Sequence, residues 1–262
     1  TRKESSAASD VYKRQNYLMG NFDTNAQTVG IVEMGGASAQ VAYSVPENFS
    51  NPNILKQVVN GRTHYVFAIS YLDLGLDQAL RTALAKVPEG NPCFVSGTPR
   101  AAGGLPSSTD RFDFEICRNL FFSIMAPFFS SNAPLPSGSG FEEMRFAGIG
   151  AIPAKFARWN ASPNTLRTAP DEDISKLPDA VEVACTPNNW DLFLQWFNGP
   201  KEFANDLCAH STYLHAFLFG ARVGTPASVA SLGLFAAQLK SIAAIKQTPT
   251  SWTRGLIVAI TN

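Results

Sequence analysis

The sequence predicts an α/β fold with a helix-rich second half. Three observations carry that expectation. β-Branched, apolar runs dominate the chain up to Leu72, apolar residues recur three and four apart from Val181 onward, and Pro/Gly/Ser-rich stretches punctuate the interval between. Residues 1–15 have no apolar period and read as a tail. Val29–Glu33 and Ala39–Val45 are strand-like runs on either side of Met34-Gly35-Gly36-Ala37-Ser38, so strand, glycine turn, strand is expected. Thr63–Leu72 reads as a third strand buried on both faces, and Asp73 is placed to cap a helix carrying Leu76, Ala79, Leu80, Ala83 and Leu84 on one side. Glu89–Ser108 is a loop, Phe112–Phe129 a helix up to Pro127, and Asn132–Gly140 a linker. Met144–Gly150 should be a strand turning into a short helix around Pro153. After a charged loop at Asp171–Lys176, helices are expected near Val181–Cys185, Trp190–Phe197, Ala204–Phe219 and Ala227–Ile245, with Arg254–Thr261 as a closing strand.

Composition narrows the function classes. Among 262 residues, 21 Lys+Arg balance 21 Asp+Glu, so no basic excess exists to release counterions from nucleic-acid phosphates, and no nucleic-acid partner is expected. With 45% hydrophobic residues and 19 Phe the chain is not disordered and is long enough for one large domain or two small ones. No apolar stretch reaches the about 18 residues of a membrane span, and the most apolar run, Leu120–Phe129, holds Pro127. The polar start lacks the apolar segment of a signal peptide, so the chain reads as a mature form or a fragment.

Four cysteines, Cys93, Cys117, Cys185 and Cys208, contain no Cys-x-x-Cys, which disfavours a redox dithiol or a zinc ribbon. Their three possible pairings stay open on spacing alone; the sequential one would close loops worth about 3 kcal/mol each. Two sequons, at Asn48 and Asn160, together with an even cysteine count, point to the secretory pathway, in the Golgi or ER lumen or outside the cell.

Chemistry concentrates in Glu33-Met-Gly-Gly-Ala-Ser-Ala-Gln40. Glycines let backbone N–H groups approach phosphate oxygens with no Cβ in the way. A carboxylate at a strand end suits a divalent ion held through water, and Ser38 and Gln40, two apart, share a strand face and can hold one water in line. The same residues also suit a plain β-hairpin whose glycines satisfy the turn dihedrals.

Val29–Pro46 resembles the fourth conserved region of the apyrases, the nucleoside triphosphate diphosphohydrolases. Asn16–Phe22 is similar to the end of the third region, Asn91–Phe94 to an Asp-Pro-Cys segment, Ala184–Trp190 with Leu207–Tyr213 to the C-terminal cysteine pair, and Ser251–Leu256 through Asn262 to the fifth region, all in family order. The resemblance implies an actin-like nucleotidase fold of two RNase-H-like lobes, this chain being the C-terminal lobe (residues 16–262) and residues 1–15 a non-family tail, a tag or artefact. It implies hydrolysis of nucleoside tri- or diphosphates by a positioned water, with Ca2+ or Mg2+ as the ion and no phosphoenzyme. Ser38 and Gln40 would position the water, Gly35, Gly36, Ala37 and Ser38 would bind phosphate, and Glu33, where most members have Asp, would hold the metal through water. The disulfides implied are Cys93–Cys117 and Cys185–Cys208. The partner implied is the missing N-terminal lobe, and any membrane anchor would lie in flanking segments.

The departures bear on activity. The family's general base would stand nine residues before Asn16, where the chain has Ala7, and its first phosphate loop belongs to the absent lobe. The aromatic segment that stacks the base corresponds to Phe146–Ala154, which has no tyrosine, and Arg222 has too poor a local match to be assigned. The chain alone is therefore expected to be inactive. Two other readings are a non-catalytic secreted nucleotide-binding domain of this fold and an exopolyphosphatase-like phosphatase, the latter disfavoured by Gln40 and the paired cysteines. A zinc site at His210 and His215 with Cys185 and Cys208 fits no usual spacing, His64 reads as a core or rim histidine, Gly-x-Ser-x-Gly is absent, and Asp171–Asp173 reads as a solvated loop.

Overall fold

β-Branched runs around a glycine turn fold as the simplest local solution, an antiparallel hairpin. β1 (Gly30–Met34) and β2 (Ser38–Ser44) pair with Ile31 opposite Ala42 and Glu33 opposite Gln40. The computed structural model describes residues 2–22, 27–101, 106–131, 138–160, 177–197, 200–220, 232–234, 239–241, 244–245 and 248–249. β4 (Arg62–Leu72) pairs antiparallel with β2, and its centre, Val66–Ile69, is buried on both faces as expected. β3 (Ile54–Val59) was not expected. It is a half-buried edge strand joined to β4 by Asn60-Gly61, both with positive φ, the dipeptide that two-residue hairpins favour.

β5 (Phe146–Gly150) lies parallel to β1, and β6 (Leu239–Ser241) parallel to β5, completing a mixed sheet of order β3-β4-β2-β1-β5-β6. The described part of the expected helix Ala227–Ile245 is not helical. It comprises β6 and β7 (Ala244–Ile245), the latter paired with β8 (Thr248–Pro249). Short apolar runs fit either period, and here Leu232 and Leu234 donate their N–H groups to the carbonyls of Phe217 and Leu218. The expected closing strand, Arg254–Thr261, and the charged loop at Asp171–Lys176 lie outside the described residues.

Strand alternation sorts the core onto two faces. Val32, Met34, Val41, Tyr43, Phe67, Ile69 and Tyr71 face a large cluster built with α2 (Leu76–Lys86), α3 (Phe114–Ser131), α4 (Ala151–Asn160), α5 (Leu177–Ala184), α6 (Trp190–Phe197) and α7 (Lys201–Phe219). α3 passes through Pro127 rather than stopping there. One lost backbone bond is outweighed because Phe129, beyond it, packs against Tyr71 and Phe217. Disulfides Cys93–Cys117 and Cys185–Cys208 join the loop after α2 to α3, and the end of α5 to α7. The buried Arg100–Asp110 ion pair, with Asp110 also accepting from the Asn91 N–H, closes the Pro/Gly/Ser-rich loop that was expected there.

Ile31, Ala42, Val66, Ala68, Ala147 and Ile149 face the other way and are covered by a helix where a tail was expected. α1 (Arg2–Met19) buries Ala8, Val11, Tyr12, Gln15 and Asn16, positions three and four apart. Three of these five are small or polar, so the stripe carries little apolar signal. Asn16 ends it by donating to the Val29 carbonyl at 2.8 Å and accepting the Val29 N–H at 2.8 Å, two backbone bonds in side-chain form. No helix among the described residues is long and apolar enough to cross a membrane.

Candidate functional site

The parallel pair β1 and β5 brings two carboxyl ends to one edge of the sheet, and the antiparallel β2 begins there. Ligands of open α/β sheets gather at such an edge. Met34 lies opposite Gly150, so α4 starts beside the end of β1. Gly150 has φ +74°, and a Cβ there would stand 2.5 Å from the Met34 carbonyl and 3.4 Å from Glu33 Cγ. Only glycine lets the chain turn so close to the carboxylate.

Glu33, 2% exposed, faces Gln40 across the ladder. Gln40 Nε2 donates to Ser38 Oγ at 2.6 Å, which fixes the amide and leaves its carbonyl oxygen and the serine hydroxyl proton for a third group. That geometry suits a single water. Ser38 lies opposite Leu72, which is half exposed, so the Ser38 end of the ladder opens to solvent.

The turn between the strands is shaped by α2. Leu76 N–H donates to Gly35 O at 2.8 Å, and Asp77 and Gln78 N–H both donate to Gly36 O at 3.0 Å. The first donors of α2, which elsewhere take a side-chain cap, are thus satisfied by loop carbonyls. The expected capping by Asp73 is therefore not found. Gly75 holds the N-cap position, and Asp73, at φ 66°, donates its N–H to Ala37 O. Every described peptide is trans, so with the Gly35 and Gly36 carbonyls turned to α2, the N–H groups of Gly36 and Ala37 point to the opposite, exposed side. Two successive outward amides are an arrangement that suits an anion.

The charges nearby are partly assembled by α1, α4 and α7. Burial lowers the Arg14 pKa and the Glu33 carboxylate opposes that shift, so the guanidinium and the carboxylate feel each other. Lys155 Nζ lies 3.0 Å from His210 Nδ1, and His210 Nε2 lies 3.6 Å from Asp77 Oδ1. Burial first, and then the charge of Lys155, hold His210 well below its ordinary pKa. Burial also lowers Lys155, against the attraction of Asp77 and Asp206.

Glu33, Gly35, Gly36, Ala37, Ser38 and Gln40, the residues expected to act together, thus share one edge. Ala7 is exposed on α1, and Ser9, two residues on, is bonded to Gln57 of the distant edge strand β3. Asn48 is exposed in a turn after β2; Asn160 ends α4, and Arg222 lies outside the described residues. Both histidines considered for zinc are buried, the two cysteines beside them are oxidised to a disulfide, and no group of three metal-ligating side chains occurs among the described residues. His64 packs edge-on against Phe22. Gly75, Gly150, Asp77 and Lys155 were not foreseen. A single carboxylate at this end of the sheet, Glu33, suits a hard divalent ion that keeps most of its waters rather than a dry cage.

The chain is similar to known proteins over most of its length. Residues 12–262 match the GDA1/CD39 (nucleoside phosphatase) family. "Ectonucleoside triphosphate diphosphohydrolase 1" of Mus musculus is 27% identical over 297 residues, covering 94% of this chain and 54% of that protein. "Probable apyrase 3" of Arabidopsis thaliana is 37% identical over 84 residues, covering 31% of this chain and 17% of that one. The chain spans about half the length, or less, of these curated relatives. A solved structure titled "Crystal structure of nucleoside triphosphate hydrolases from Neospora caninum" superposes with TM-score 0.54 at 14% identity, covering 97% of this chain and 63% of that one, a likeness of fold.

Proposed function

Because the chain belongs to the GDA1/CD39 (nucleoside phosphatase) family, we propose that it is the C-terminal, RNase-H-like lobe of an actin-like nucleotidase, which hydrolyses nucleoside tri- or diphosphates by attack of a positioned water. The observation that carries this reading is the Gln40–Ser38 hydrogen bond standing beside the outward amides of Gly36 and Ala37. Gln40 accepts from the attacking water through its carbonyl oxygen, and Ser38 holds that water's second contact. Gly36 and Ala37 receive the phosphate oxygens through their N–H groups. A Ca2+ or Mg2+ ion, held by Glu33 through water, supplies neutralising charge when bound.

The missing N-terminal lobe completes the clamp and, with Ala7 where a base is expected, the proton acceptor comes from sequence outside this chain. The 262-residue chain alone hydrolyses nucleotides poorly, since loss of a general base costs about 10²–10⁴-fold. Arg14 beside Glu33 favours the same outcome, because a guanidinium competes with a cation for the carboxylate. Paired cysteines and the exposed Asn48 sequon support residence in the secretory pathway, in its lumen or outside the cell, with any anchor in flanking sequence.

The test is phosphate release from ATP, ADP, GDP and UDP, with Ca2+, Mg2+ or chelator, by this chain alone and by the same chain joined to its native upstream lobe. Metal-dependent release by the joined protein and almost none by the chain alone is expected. No release from the folded, disulfide-bonded joined protein would replace this reading with a non-catalytic nucleotide-binding domain.

A further inference from the structure

α7 is buried from Ala204 to Leu218 and is tied to three neighbouring segments. Cys208 is bonded to Cys185, Ser211 Oγ accepts from the Trp159 ring N–H at 2.8 Å, and Asn205 Oδ1 accepts the Val95 N–H at 2.9 Å. His210 and Tyr213, three residues apart, share a face of this helix, and both reach the turn that leads into α2. Tyr213 donates its hydroxyl proton to the Leu74 carbonyl at 2.6 Å, and His210 Nε2 lies 3.6 Å from Asp77 Oδ1. The two contacts straddle Gly75, which is seated so close to Ser38 N that it has no room for a Cβ. Lys155 is a donor only, so His210 Nδ1 accepts from it, and the neutral ring carries its proton on Nε2. That buried N–H has no hydrogen-bond partner among the described residues, and the half-exposed Asp77 carboxylate is the acceptor nearest to hand.

The same turn governs the glycine loop. The N–H groups of Leu76, Asp77 and Gln78 hold the Gly35 and Gly36 carbonyls, and that hold turns the Gly36 and Ala37 amides outward. A displaced turn would release both carbonyls and let those amides rotate away. We infer that His210 and Tyr213 are positioning residues: from one face of the anchored α7 they hold the Leu74–Asp77 turn, and through it the outward amides of Gly36 and Ala37. Lys155 contributes by fixing the His210 tautomer. This rests on the phosphate-binding reading of that loop.

Hydrogen exchange of the Leu76, Asp77 and Gln78 amides in the 262-residue chain reads the hold on the turn. Tyr213→Phe, which removes only a hydroxyl, and His210→Ala should each speed that exchange by about tenfold, with the Val66–Ile69 amides of β4 unchanged. His210→Gln, which keeps an N–H where Nε2 stands, should restore the slow rate. His210→Asn, which keeps only an acceptor for Lys155, should not. In the two-lobed protein, Tyr213→Phe and His210→Ala should raise KM for ATP by about five- to tenfold with kcat nearly kept, because the amides hold ground state and transition state alike. A mere loss of folded protein would instead lower kcat at unchanged KM. Unchanged exchange at the turn in Tyr213→Phe, or equal acceleration at Val66–Ile69, would overturn the inference, as would an unmoved KM once exchange has quickened. If His210→Ala does not fold, Tyr213→Phe and the His210→Gln and His210→Asn pair decide it. If exchange responds as expected but the wild-type two-lobed protein releases no phosphate, the hydrolase reading fails and the hold of α7 on the turn stands.

Discussion

Gly75 shapes the glycine loop without belonging to it. A Cβ at Gly75 would stand 2.2 Å from Ser38 N and 2.3 Å from Ala37 C, both backbone atoms that cannot step aside. Gly75→Ala should therefore push α2 off the loop, costing about 1–3 kcal/mol and lowering the thermal midpoint; an unchanged midpoint would show that the loop yields easily. His210 supplies a second residue-level expectation. Its pKa is depressed in the fold, so below about 6.5 the unfolded chain takes up a proton that the folded chain refuses. Its contribution is complete above that value and fades as pH falls towards the folded pKa. Thermal midpoints should drop from pH 7 to pH 5, and His210→Gln should flatten that slope. The Glu33–Gln40 stretch was legible in the sequence because a carboxylate, glycines, a hydroxyl and an amide lie within one hairpin. Gly75, Asp77, Lys155 and His210 were not, because three helices and the turn leading into one of them supply them, and no local pattern links those segments.

At the scale of elements, legibility followed the strength of the apolar period. β1, β2, β4 and β5 are rich in aliphatic or aromatic residues, and α6 spans the expected Trp190–Phe197. β3 escaped because Lys56 and Gln57 interrupt a half-buried edge, although Asn60-Gly61 was the available signal. α1 escaped because its buried stripe uses Ala8, Gln15 and Asn16 beside Val11 and Tyr12. Its burial makes the tag reading of residues 1–15 testable. Removing residues 2–15 uncovers Ile31, Ala42, Val66 and Ala68 on the second face of the sheet. We expect the shortened chain to aggregate and to melt at a lower temperature, as uncovered apolar sheet faces do. A shortened chain that stays monomeric with an unchanged midpoint would mark the helix as dispensable.

For the whole molecule, the sheet order puts Glu33, Ser38, Gln40, the glycine loop and the first turns of α2 and α4 on one edge. That edge is half of a cleft if the chain is one lobe of two, and the relatives' greater length is consistent with a second lobe. The proposed hydrolysis depends on the Gln40–Ser38 pair holding the attacking water. It is tested most directly by comparing wild type, Gln40→Ala and Ser38→Ala in the two-lobed protein for nucleotide binding and for kcat of phosphate release. Loss of a preorganised contact in the transition state predicts kcat lower by about 10²–10³-fold in Gln40→Ala, with nucleotide affinity nearly kept. A kcat within a few-fold of wild type in both variants would contradict the claim and move the site away from this edge.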